Sequence, residues 1–106
     1  MLYVDFTADK EYKLRLTTRN LVELEKKLGC NPLTIFGSGD RIPTITELVI
    51  ILHASLQAYH HGISLDDTYD IFDKYLEYHP MTDFITVVLD IYRASGLVSK
   101  EDSEKK

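Results

Sequence analysis

Apolar and polar side chains alternate with a period of two at the start of the chain and with a helical period over nearly all of the rest. Leu2, Val4 and Phe6 fall on one face of the first alternating segment. In the second, Leu14 and Leu16 share a face and Lys13 and Arg15 point the other way. Residues 7–11, reading TADKE, have turn composition, so a β-hairpin over 2–17 is predicted. Two strands are marginal alone, and this hairpin must therefore lie on an apolar surface supplied by the rest of the chain.

The helical part divides at its caps. Leu21, Leu24 and Leu28 mark a helix over about 19–28, with Asn20 and Glu23 fitting a capping box, Thr18 as the other N-cap reading, and Gly29 at its exit. Residues 33–36 after Pro32 suit a single turn, and 37–43, reading GSGDRIP, a mobile loop. Thr44 with Glu47 opens a helix over 45–61, apolar nearly all the way round and hence the expected buried centre. Gly62 stops it, Ser64 with Asp67 caps a helix over 65–79 that Pro80 ends, and a last helix runs over 83–95 to Gly96. The charged stretch 97–106 is expected to be a disordered tail. The predicted fold is mainly α: one globular domain over 1–96, with an N-terminal β-hairpin packed on a small bundle of about four helices.

Composition narrows the classes of function. A chain of 106 residues and 12.2 kDa fits one domain that buries enough surface to fold without staples. The single cysteine, Cys30, cannot form an internal disulfide and points to a reducing, intracellular setting. With 12 basic against 17 acidic side chains, a nucleic-acid-binding face is not expected. The N-terminus carries Asp5 where a signal peptide would turn apolar. The run 48–65 lacks Asp, Glu, Lys and Arg but holds His53, Ser55, Gln57, His60, His61 and Gly62, too polar for hydrocarbon, so no membrane span is expected.

The residues that could carry chemistry do not form a catalytic, metal or cofactor pattern. His53 and His60 stand seven apart without an HExxH arrangement, and Cys30 has no Cys-x-x-Cys companion. His60 and His61 read as fraying at a helix end, and Cys30 as a small buried hydrophobe. Gly37-Ser38-Gly39-Asp40 lacks the further glycine or Gly-Lys of a phosphate loop. The third helix is more informative. At about 100° per residue, Asp66, Asp70, Asp73 and Glu77 form an acidic ridge, Leu65, Tyr69, Phe72 and Leu76 an adjacent apolar one, and Ile71, Tyr75 and Tyr78 a third. The plain reading is a solvated acidic face. The functional reading is a docking surface in which Asp66, Asp70, Asp73 and Glu77, edged by Tyr75 and Tyr78, meet a basic helical partner. Residues 54–106 hold 10 acidic and 5 basic side chains while the first half is balanced, so the net charge sits in the helical C-terminal half.

The string from Lys13 to Leu33, KLRLTTRNLVELEKKLGCNPL, followed by a loop, a proline and an apolar helix, resembles the tail assembly chaperones of long-tailed phages and prophages of Gram-positive hosts. The similarity runs through Thr44-Ile-Thr-Glu-Leu to Leu56 and from Ile63-Ser64-Leu65 to near Gly96, and is most specific from Glu25 to Leu33. The resemblance implies a non-enzymatic protein of the host cytoplasm, absent from the mature virion. It would escort the tape measure protein and help recruit the tail tube protein, with self-association into a homo-oligomer left open and no nucleic acid or membrane involved. It also implies, for many members, a longer form made by ribosomal frameshifting near the end of the gene. The competing expectation from the residues alone is a small acidic regulatory or antitoxin-like domain that binds one basic protein.

Overall fold

The computed structural model describes residues 2–36 and 42–98; the loop and tail expectations for 37–41 and 99–106 lie outside the described residues. Strands β1 (Val4–Thr7) and β2 (Glu11–Leu14) pair antiparallel, with Val4 opposite Leu14 and Phe6 opposite Tyr12. Phe6, Tyr12, Leu14 and Leu16 turn inward as the alternation requires. Leu2 does not: it precedes the ladder and is exposed, because pairing begins only at Val4. At the turn the Tyr12 hydroxyl donates to the Asp9 carboxylate at 2.7 Å.

Helix α1 (Thr18–Leu28) starts one residue earlier than expected, and its cap is neither Thr18 nor the Asn20–Glu23 pair. Thr17, still extended as it leaves the hairpin, accepts the Asn20 backbone N–H at 3.2 Å, and the Asn20 carboxamide oxygen answers at the Thr17 N–H. An asparagine thus fills the place usually held by Glu or Gln. Gly29 ends the helix at φ 74°, a conformation a side chain would strain. A 3-10 turn, Pro32–Phe36, follows where a single turn was read.

Helix α2 (Ile45–Leu56) carries the Thr44–Glu47 capping box. It packs against α1, α3 (Leu65–Leu76), α4 (Met81–Ser95) and β2, which makes it the centre of the domain. Its burial is not all round: Leu48, Ile51, Leu52 and Leu56 are buried, whereas Ile50 is half-buried and Ile45 is 58% exposed. The helix also stops at Leu56 and not at 61, and α3 stops at Leu76 and not at 79. Helix α4 begins two residues before the expected 83, with Pro80 as its N-cap, a place where a missing N–H costs nothing.

The hairpin is tied to the helices by backbone groups that find partners across the fold. The Arg15 N–H donates to the Ser55 carbonyl and the Leu16 N–H to the Ser95 hydroxyl, each at 2.9 Å. Phe6 then reaches an aromatic cluster with Phe72, Tyr75 and Phe84, ring centroids 4.8–6.2 Å apart. Leu97 and Val98, assigned to the tail on sequence, pack half-buried against the core.

Candidate functional site

Helix α3 is held against α2 by the connection between them. The Gln57 carboxamide donates to the His53 carbonyl at 3.0 Å and the Ile63 carbonyl at 2.9 Å, and accepts the Gly62 N–H at 3.2 Å. One side chain therefore closes the turn on itself, with Gly62 at φ 98° making the reversal. Within the same connection His60 does not fray. Its Nε2 accepts the Lys13 N–H of β2 at 2.9 Å, and its ring meets Tyr12 edge-on. Burial, then the nearby Lys10 and Lys13, hold the imidazole below its ordinary pKa, which keeps that nitrogen free to accept.

Around α3 the chain presents four sectors. Thr68, Ile71, Phe72 and Tyr75 face the core. On one side of them, Leu65, Tyr69 and Leu76 form the wall of an apolar groove whose opposite wall is Ile45, Val49 and Ile50 of α2, with Phe72 also lining it and a volume of about 380 Å³. Tyr69 is 50% exposed there, so the groove opens to solvent. The exposed carboxylates Asp66, Asp70, Asp73 and Glu77 come next, as the spacing predicts. On their far side lies a second cleft of about 590 Å³ toward the hairpin, where Asp70, Asp73 and Glu77 stand with Asp67 and Asp9 but also with Lys10 and Lys74. Lys74 is 3.6 Å from Glu77. Asp73 lines both hollows.

The two tyrosines proposed for the edge of the ridge separate. Tyr75 is only 5% exposed, stacked on Phe6 at 4.8 Å and on His79 at 4.5 Å; it is a core residue and is unavailable to a partner. The reason is helical phase: 68, 71, 72 and 75 share the one face that meets the hairpin and α4. Tyr78 is 79% exposed, just beyond the end of α3. What sequence reasoning missed is the α2 side of the groove. The signal was present, since Ile45 and Val49 are four apart on a helix whose apolar surface exceeds what its neighbours cover. The role of Gln57 had no sequence signal.

Cys30 is half-buried, more open than the small core residue expected. Among the described residues no group of three or more His, Cys, Asp or Glu side chains is placed to hold a metal ion. Nor is any described helix long and apolar enough to cross a membrane.

The domain is mainly helical, with a hairpin on one side and an open apolar groove bordered by acid on another. The chain belongs to a family of unknown function, DUF6096, whose profile matches residues 4–106. No curated protein and no solved structure gives a significant match.

Proposed function

We propose that the chain is a tail assembly chaperone of a long-tailed phage or prophage. In this reading it is a non-enzymatic escort that binds the tape measure protein in the host cytoplasm, keeps it soluble while tail tube subunits are recruited, and leaves before the virion is complete. Two things support the reading: the resemblance of residues 13–96 to such chaperones, and an α2–α3 groove suited to a helical client. The groove carries most weight. A tape measure protein is a long helical chain, and an escort for it needs open apolar surface with a charged border that steers encounter. The acidic C-terminal half also suits a regulatory domain that engages one basic protein, the second reading. Co-expression with the long coiled-coil protein encoded nearby separates the two. Under the first reading that protein becomes soluble and co-purifies with the chain. Equal aggregation with and without the chain, beside capture of a short basic neighbour, would leave the second reading in place.

A further inference from the structure

We infer that the α2–α3 groove is the docking site for a single amphipathic helix that carries lysine or arginine along one flank; the partner's identity rests on the escort reading above, its chemistry on the groove itself. The α3 wall repeats Leu65, Tyr69 and Leu76 at spacings of four and seven, the ridge spacing of a helix surface. The α2 wall is the first half of that helix, Ile45 to Ile50. The α3 wall runs from Leu65 to Leu76, 12 residues and about 18 Å at 1.5 Å per residue, which matches an occupant of about three turns. Such an occupant would insert apolar side chains at successive turns, as helix-in-groove complexes do.

Charge fixes which flank is which. Along the α3 edge, Asp73 lines the groove and Asp66 and Asp70 stand exposed beyond it, whereas the α2 edge offers neutral Thr46. A helix seated here gains from cations on the α3 side alone. A second copy of this chain fits poorly. A two-fold contact would bring the same acidic border of both copies together, on chains of net charge −5. The larger cleft toward the hairpin is a weaker candidate, because Lys10 and Lys74 already offset its carboxylates.

The test uses the full chain and a labelled synthetic helix with leucines on one face and lysines on one flank, beside a control with glutamates in place of the lysines. The lysine peptide is expected to bind about tenfold or more tightly than the glutamate peptide at low salt, with the gap narrowing as salt rises. Tyr69→Ser should weaken lysine-peptide binding about tenfold, and Ile45→Lys, on the opposite wall and also exposed, should do the same if Tyr69→Ser unfolds the protein. Lys10→Ala, in the hairpin cleft, should leave binding unchanged. Equal binding of both peptides, binding indifferent to both groove variants, or a dimer in light scattering that Ile45→Lys dissociates would overturn the inference. Failure of the escort reading looks different: the peptide results hold while the tape measure protein is not solubilised.

Discussion

The hydroxyl of Tyr92, whose ring is fully buried, donates a 2.9 Å hydrogen bond to the carbonyl of Pro32, 60 residues earlier in the chain. It fastens the 3-10 turn to α4, and Phe36 packs edge-on against the same ring at 5.9 Å. Tyr92→Phe keeps the ring and leaves a buried carbonyl without its donor, which costs about 1–3 kcal/mol. A lower urea midpoint with an unchanged slope is the expected result. An unchanged midpoint would mean that the carbonyl finds another donor.

The burial contrast between Tyr75 and Tyr78 gives a second test. Tyr75→Ala removes a ring from the aromatic cluster and should cost about 3–5 kcal/mol, in line with other large aromatic truncations. Tyr78→Ala should stay within about 0.5 kcal/mol. Similar losses for both in thermal melts would contradict the helical phase assigned to α3.

Along α2 the same logic grades neighbouring positions. Leu52 is completely buried and Leu52→Ala should cost about 2–5 kcal/mol, whereas Ile50, half-buried at the groove, should lose clearly less. Sequence periodicity alone treats the two alike, so denaturant melts of the pair measure how far one side of α2 is open.

Much of the fold was legible because its signals are local. The Thr44–Glu47 and Ser64–Asp67 boxes, and Gly29 and Gly96 at helix ends, act within a few residues and need no tertiary knowledge. The site was legible in halves. Carboxylate spacing placed Asp66, Asp70, Asp73 and Glu77 on one exposed ridge, but which flank of that ridge is buried depends on where the hairpin and α4 press. Tyr75 was misplaced although helical phase alone, at about 100° per residue, sets it nearly opposite that ridge. Gln57 and His60 were invisible because their partners are backbone groups, which every residue type offers.

The bond from the Lys13 N–H to His60 Nε2 makes stability depend on pH. A protonated Nε2 cannot accept, and His60 titrates in the folded chain below the ordinary value of 6.5; His53 is lowered too, first by burial and then by Lys27. The unfolded chain therefore binds protons that the folded one resists, so this stability is present above 6.5 and declines as pH falls below it. Melting temperature should drop between about pH 7.5 and about pH 5.5, above the main carboxylate range. His60→Ala should be less stable at the higher pH and show a smaller drop. A drop of the same size in that variant would assign the dependence to His53 or elsewhere.

The acidic ridge is tested by charge removal that leaves shape intact. Asp66, Asp70 and Asp73 are exposed, and changing all three to Asn should shift stability by no more than about 1 kcal/mol, mostly from Asp66 in the first turn of α3. Each carboxylate alone is worth too little to read, which is why three are changed together. If the ridge steers a basic client, capture of the tape measure protein should slow at low salt, and the variant should lose most of the salt dependence seen with the native chain. Apolar contacts in the groove would remain, so binding at high salt should be similar for the two proteins. Capture with the native salt dependence would make the ridge a solvated helix face and leave the groove's apolar walls as the whole of the recognition surface.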